Sequence, residues 1–438
     1  MRKLLILPVT ISLVAALTAC SVATGLEGDT TTAGSAASGT DLFDSSTVHD
    51  ISIEFDDADY DAIIAAYRAD GSKEWLSATV TIDGTSFKNV GLRLKGNSSL
   101  RGITGDGQSP SGDESGDVDD PSTLPWLIRF DEYVEGQTYQ GRSELVVRGN
   151  NTETSLNEAV ALELIGEAGL ATEEATPTRL TINGGTAQLR LVIESPDDEL
   201  WSDAVFGEDG ITYEAETEGD YSYRGDDAAA YDNVFTVQAG EDDLQPVIDL
   251  LAFVDSASDA DFETHLADYM DVDALATYLA LEPLIANDDD IDGPGNNSYL
   301  RWDAGTGLIT VVAWDHNLAF GGFGHGIGGQ NGGAGQGQGG GMPGAGQGGP
   351  QGQAGGQGQG AGGGPRNKTN PLTERFLAND TFAAMVADAT TSLQASLYDS
   401  GEAQAILDEW VDVLESEAGD LVDTATVESD AARISAYF

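Results

Sequence analysis

Two stretches of this chain concentrate side chains that can do chemistry. One is Asn287-Asp288-Asp289-Asp290-Ile291-Asp292-Gly293-Pro294-Gly295-Asn296-Asn297, which crowds carboxylates and amides into a helix-to-strand connection. The other is Val311-Val312-Ala313-Trp314-Asp315-His316-Asn317, which delivers an acid at the end of an apolar strand. Clustered hard oxygen donors suit Mg²⁺, Mn²⁺ or Ca²⁺ and not zinc. Both stretches bracket one expected strand pair, so they can converge on one pocket. Two chemistries compete for them. Asp288, Asp290, Asp292 and Gly293 begin as an EF-hand loop begins. That loop needs a bidentate Glu at its twelfth position, which here is Tyr299, and a strand starts where its second helix should stand. The alternative is phosphoryl transfer, with an Asp for the acceptor hydroxyl, an Asn a few residues on, and a strand-end Asp, the last two holding metal.

The elements that must position these groups fall into two halves. In the first, Val48, Ile51, Ile53 and Phe55 predict a strand, and Asp56 to Ala69 a short helix. Trp75 to Ile82 and Phe87 to Leu94 alternate apolar and polar residues around Asp83-Gly84, a hairpin signal. Residues 102–124 lack periodicity and read as a surface loop. Strands resume at Trp126 to Phe130 and Ser143 to Val147. A helix then follows Ser155, with Glu158 at capping-box spacing and Gly169 at its end. A second hairpin turns at Asn183-Gly184-Gly185, joining Thr178–Ile182 to Gln188–Glu194. The second half reads as mainly helical, over Leu244–Val254, Asp259–Tyr269, Val272–Ala286, Thr373–Ser396, Ala403–Ala418 and Thr424–Ala436. Strands at Tyr299–Trp302 and Leu308–Trp314 interrupt it. The Gly/Gln-rich tract 321–364 is expected to be disordered.

Composition sets outer limits. Lys+Arg is 19 against 75 Asp+Glu, a formal charge of −56, which argues against nucleic acid and anionic lipid surfaces as partners. At the N-terminus, Met1-Arg2-Lys3 precedes an apolar run from Leu4 to Leu17 and then Leu17-Thr18-Ala19-Cys20. That is the pattern of a secretory signal, and its ending resembles the bacterial lipobox, whose cysteine is lipidated. The expected organisation is a lipoprotein signal peptide at 1–19 and a flexible Thr/Ser/Ala/Gly tether at 20–47 that starts with the lipidated Cys20. A sheet-rich lobe follows at 48–194 and a helical lobe with the metal site at 195–438. Location is then extracytoplasmic, with membrane attachment through the lipid alone. With Cys20 the sole cysteine, no intrachain disulfide can form, so the core must hold the fold.

Over this frame the sequence resembles the CotH family of atypical protein kinases, from about Val48 to the last helices. The resemblance rests on Gly91-Leu92-Arg93-Leu94-Lys95-Gly96-Asn97-Ser98-Ser99, Ile128-Arg129-Phe130-Asp131-Glu132-Tyr133, Ser155-Leu156-Asn157-Glu158, Ile182-Asn183-Gly184 and Leu191-Val192-Ile193-Glu194. It continues through Asn296-Asn297-Ser298-Tyr299-Leu300, Trp314-Asp315-His316-Asn317-Leu318-Ala319-Phe320-Gly321 and Asn370-Pro371-Leu372. It implies an α+β, kinase-like fold of two lobes, with ATP and Mg²⁺ or Mn²⁺ in the cleft and a protein hydroxyl as acceptor. Asp288 becomes the catalytic-loop acid, with Asp289 and Asp290 as rivals. Asn297 and Asp315 become metal ligands, with Asn317 a lesser candidate. A kinase also needs a cation on the nucleotide phosphates and a helix carboxylate to hold it. Lys95 and Glu158 fit that order, with Arg129 a competing cation. A capping box for Glu158 and an exposed strand end for Lys95 are the structural alternatives. Glu194 reads as structural, and His316 as a packed or exposed histidine before a general base. A non-catalytic envelope scaffold and a calcium-stabilised surface protein are the competing functions.

Overall fold

The computed structural model describes residues 41–96, 99–100, 103, 116–216, 220–292, 297–321 and 370–438. The signal segment, Cys20, most of the tether and the Gly/Gln-rich tract lie outside these residues. The described chain is α+β. Seven strands close into a barrel: β1 (His49–Phe55), β2 (Leu76–Ile82), β3 (Thr85–Leu94), β4 (Trp126–Arg129), β5 (Glu144–Val147), β6 (Ala175–Ile182) and β7 (Gln188–Ile193). Their order is β1-β2-β3-β4-β5-β7-β6, and the ring closes through a parallel pairing of β1 with β6, Ile51 opposite Leu180. The two hairpins expected from Asp83-Gly84 and Asn183-Gly184 are both present, with Asp83 and Asn183 at positive φ as their turns require. Closure itself was not expected from the sequence.

Alternation along the strands gives the barrel two unlike faces. Ile51, Ile53, Val80, Leu92, Leu94, Ile128, Leu145, Val147, Leu180 and Val192 fill its interior. Leu127, Val146, Leu189, Leu191 and Ile193 turn outward into a second core. The insertion expected as a surface loop contributes at its described ends to the interior. Ile103 and Leu124 are buried there, and Trp126 Nε1 donates to Pro121 O at 2.8 Å. These residues extend the apolar core of the barrel interior and withdraw more apolar surface from water.

The second core joins helix α2 (Leu156–Glu167) to a four-stranded sheet and the later helices. The sheet is β8 (Gly210–Ala215), β9 (Phe235–Ala239), β10 (Ser298–Asp303) and β11 (Ile309–Ala313), in the order β11-β10-β8-β9. Strands β8 and β9, and helix α3 (Glu199–Phe206), escape the sequence reading because each is short and flanked by acidic loops. Helices α4 (Gln245–Ser256), α5 (Asp259–His265) and α6 (Val272–Leu281) follow the expected spans within a few residues. The expected helix over Thr373–Ser396 is instead two, α7 (Pro371–Ala378) and α8 (Asp380–Leu393). Asn379 sits extended between them, and its side chain accepts from Thr381 N and Phe382 N, so it caps a new helix. Helices α9 (Glu402–Glu417) and α10 (Thr424–Ser435) complete the chain. Helix α1 (Asp57–Asp70) packs against β2 and buries Ile63, Ile64 and Tyr67 in the same core as the barrel interior. Among the described residues no helix is long and apolar enough to cross a membrane.

Because Leu180 is fully buried inside the barrel at the β1–β6 seam, Leu180→Ala is expected to cost about 2–5 kcal/mol, read from urea unfolding.

Candidate functional site

The site lies on the outer face of the barrel, where period-two alternation turns Arg93, Lys95, Arg129, Glu144, Val146 and Arg148 to the same side. Opposite stands the β10–β11 hairpin. Ser298 pairs with Ala313 in its register. Asn297, just before β10, and Asp315, just after β11, therefore leave the sheet at the same end. Both adopt positive φ, 57° and 65°, which Asn and Asp tolerate better than larger residues do.

Glu282, at the end of α6, binds the two chemical stretches together. Its Oε2 accepts from Asn287 Nδ2 at 2.8 Å and its Oε1 faces His316 Nε2 at 3.0 Å. His316 has no solvent exposure, so it is a packed histidine. Burial disfavours its cation, but the Glu282 charge outweighs this and holds its pKa above the ordinary value. From the far side of the loop, Asn370 Nδ2 donates to Ile291 O at 3.0 Å and Thr373 Oγ1 to Asp292 Oδ1 at 2.8 Å. Asn297 Nδ2 donates to Asp289 O at 3.1 Å. Asp288 is exposed, Asp289 half-buried and Asp290 buried, with Asp290 Oδ1 accepting from Asp292 N at 2.9 Å. Asn317 offers its carbonyl to Asn157 Nδ2 on α2 at 2.6 Å.

The cation at the centre is Arg148, which is not among the residues expected from the sequence. Its Nε lies 2.8 Å from Glu158 Oε1, and its Nη2 pairs with Asp315 Oδ1. The side chains of Arg148 and Glu158 are 10% and 3% exposed, so this is a buried ion pair, while Asp315 keeps 27%. Burial raises the pKa of Glu158, against the pull of Arg148. The expected capping box is not formed. Ser155 adopts a left-handed conformation with no side-chain cap bond, and Glu158 turns inward to the guanidinium. The expected Lys95–Glu158 pairing is likewise replaced. Lys95 Nζ binds Asp197 Oδ2 at 2.6 Å, and Tyr299 donates its hydroxyl to Asp197 Oδ1 at 2.7 Å.

Trp314 nonetheless brings the two cations to one place. Lys95 Nζ lies 5.4 Å and Arg148 Cζ 5.5 Å from its ring, and Tyr299 packs edge-on at 5.5 Å. Arg129 stands apart from this pair, 41% exposed, at 3.0 Å from Asp131 and 3.5 Å from Glu144. Burial, and then the Asp197 charge, push Glu144 and Glu214 up to about 7. Asp197 itself is held below the ordinary value, because Lys95 outweighs its burial. Glu194 is structural, bound by Arg142 at 2.6 Å and Trp201 Nε1 at 2.9 Å.

The chain matches the protein family described as "CotH kinase protein" over residues 93–427. It belongs to that family. The CotH match opens on β3 two residues before Lys95 and ends within α10, so it takes in every site residue named above. Strand β1, helix α1 and strand β2 precede it. Among curated proteins, "Inner spore coat protein H" of Bacillus subtilis (strain 168) is 22% identical over 196 residues, covering 43% of this chain and 53% of that protein. The chain thus spans about half the length of this relative. Arg148 had a readable signal within the CotH frame. It follows an apolar strand, as Asp315 does.

Among the described residues no group of three or more His, Cys, Asp or Glu side chains is arranged to hold a metal. The donor chemistry still fits Mg²⁺ or Mn²⁺, which commonly take one or two carboxylates and complete their shell from phosphates and water. Asp315 and the side-chain oxygen of Asn297 are hard donors at one sheet end.

Glu173 carries a buried carboxyl group. It is 1% exposed, neither carboxyl oxygen has a hydrogen-bond partner, and burial pushes its pKa up to about 8. The folded protein therefore keeps a proton that the unfolded chain releases near 4.5. This contribution to stability is complete below about pH 4.5 and is lost as pH rises through about 8. Glu173→Gln should remove that slope, measured as urea midpoints at pH values on either side of the window.

Proposed function

We propose that this CotH family member is a metal-dependent protein kinase that transfers the γ-phosphoryl group of ATP to a protein hydroxyl at the cell envelope. The observation that carries the reading is the chain Glu158–Arg148–Asp315, with Lys95 on the same indole. A kinase cleft needs a cation for the nucleotide phosphates, a helix acid to fix that cation, and a strand-end acid for metal. Arg148, Glu158 on α2 and Asp315 after β11 supply these three parts in contact. In this reading the barrel is the sheet-rich lobe and the remainder the helical lobe.

Each residue then has a task. Arg148 presents a planar fork of donors to phosphate oxygens, while Glu158 keeps the fork oriented. Lys95 adds a second cation, restrained by Asp197. Asp315 and Asn297 would hold Mg²⁺ or Mn²⁺, which when bound offsets the charge of the transferring group. Asp288, exposed at the loop tip, accepts the proton of the incoming hydroxyl. Its exposure suits contact with a macromolecular acceptor. The N-terminal pattern ending at Cys20 supports extracytoplasmic location and attachment through lipid.

The contact between Arg148 and Asp315 also favours a second reading, a non-catalytic envelope scaffold in which this pair simply locks the fold. Two variants separate the readings. With labelled ATP and Mn²⁺, Asp315→Asn in the full chain should lower phosphate transfer on the order of a hundredfold. Transfer unchanged by that substitution would remove Asp315 from the site, and absence of transfer in the parent protein would favour the scaffold. Arg148→Lys keeps the charge but loses the fork, so it should raise the KM for ATP about tenfold, measured by steady-state kinetics.

A further inference from the structure

The strand ends that carry Lys95 and Arg148 leave the barrel side by side, with the segment before β4 between them. Leu94 pairs with Trp126, and Trp126 with Val147. Just beyond these pairs, Lys95 N donates to Pro125 O at 3.2 Å and Arg148 N to Leu191 O at 2.9 Å. A Cβ placed on Gly149 would meet Pro125 Cβ and Ser99 Cβ at 3.6 Å, so the chain after Arg148 packs against the same segment. Asn150 Nδ2 donates to Leu189 O at 3.0 Å and fastens that chain to β7.

One buried guanidinium joins these pieces. Arg190, on β7, shares with Val192 the side of that strand that faces the barrel interior, and it is 5% exposed. Its Nη2 donates to Arg148 O and, at 3.3 Å, to Leu124 O. Leu124 precedes Pro125, whose carbonyl holds Lys95. Among the described residues no carboxylate pairs with Arg190. Asp120, the acid whose charge acts on it, accepts instead from Ser122 N at 3.1 Å. Burial pushes the Arg190 pKa down to about 10, so it remains a cation at physiological pH. A buried cation answered by carbonyls alone is costly. An apolar side chain would avoid that cost but would take this donor from two buried carbonyls.

We propose that Arg190 is a positioning residue, whose guanidinium ties together the strand ends bearing Lys95 and Arg148 and so fixes the spacing of these two cations at the nucleotide phosphates. This role rests on phosphoryl transfer being the activity of the site. Nη2 carries two N–H groups, one for each carbonyl, on segments that no strand pairing joins directly. Arg148 O is held from inside the barrel, while the Arg148 guanidinium on the outside answers Glu158 and Asp315. Backbone and side chain of Arg148 are thus restrained from opposite faces. A displacement of about 1 Å at a reacting group can cost up to about a hundredfold in rate, so such restraint has a functional reading.

The test uses the full chain. With labelled ATP and Mn²⁺, Arg190→Met should raise the KM for ATP about tenfold and leave kcat within about twofold. Arg190→Lys keeps donors for the carbonyls on a more flexible stem and should raise KM about threefold, which preserves the comparison if Arg190→Met does not fold. Arg375→Met removes a guanidinium that donates to the carbonyls of Val254 and Ala257 at the end of α4, away from the cleft, and should leave KM unchanged. Hydrogen–deuterium exchange gives a readout independent of transfer. In the Arg190 variants the Lys95 and Arg148 amides should exchange about tenfold faster, while those of β10 keep the parent rate. An unchanged KM in a folded Arg190 variant, an equal rise in Arg375→Met, or exchange that quickens alike in β10 would overturn the proposal. A parent protein that transfers no phosphate would refute phosphoryl transfer alone, and exchange would still decide whether Arg190 holds both strand ends.

Discussion

The guanidinium of Arg148 is the constraint around which the rest of this structure is arranged. It leaves a barrel strand, enters a largely dry space, and meets one acid from α2 and another from the β10–β11 hairpin. An arginine in such a place is costly unless its charge is answered at close range. Glu158 comes from the next helix and Asp315 from far along the chain, so the full set forms only when barrel, helix and second sheet are all in position. Removing Glu158 or Asp315 would leave the remaining charges buried and unbalanced, and buried pairs broken in this way are strongly destabilising. The same groups are thus needed for the fold and proposed for the chemistry.

Around this centre a chain of formal charge −56 offsets part of the repulsion among its buried acids. Glu144 and Glu214 are pushed up to about 7, so part of their charge is neutralised at physiological pH. Lys95 is satisfied by Asp197, and His316 by Glu282. The Trp314 ring gives both cations an apolar surface to lie against. Lys95 and Arg148 are thus both held among carboxylates, within a chain that is acidic as a whole.

Much of the site was legible one piece at a time. The apolar run before Asp315 and the bracketing of one strand pair by two polar stretches anticipated where Asn297 and Asp315 leave the sheet. The register Ser298 with Ala313 supplies the physical reason. Glu158 was singled out, but for two partners it does not take. Capping-box spacing is a local signal, and it loses here to a buried ion pair whose other members lie in β5's extension and after β11. Lys95 was singled out as well. Its partner Asp197 sits in a connection without periodicity, where nothing local marks one aspartate above its neighbours.

Hydrophobic alternation and turn chemistry, both local, were enough to determine the strands and hairpins of the first half. Helical spacing set most helices of the second, and motif order determined membership of the CotH family. What only the tertiary structure decided were the long-range pairings. These are the parallel seam of β1 with β6 that closes the barrel, the packing of the insertion ends into the barrel core, and the meeting of Arg148 with Asp315. The reason is common to all three. Each depends on which face a residue presents after the sheet closes, and on desolvation that exists only once distant elements exclude water together.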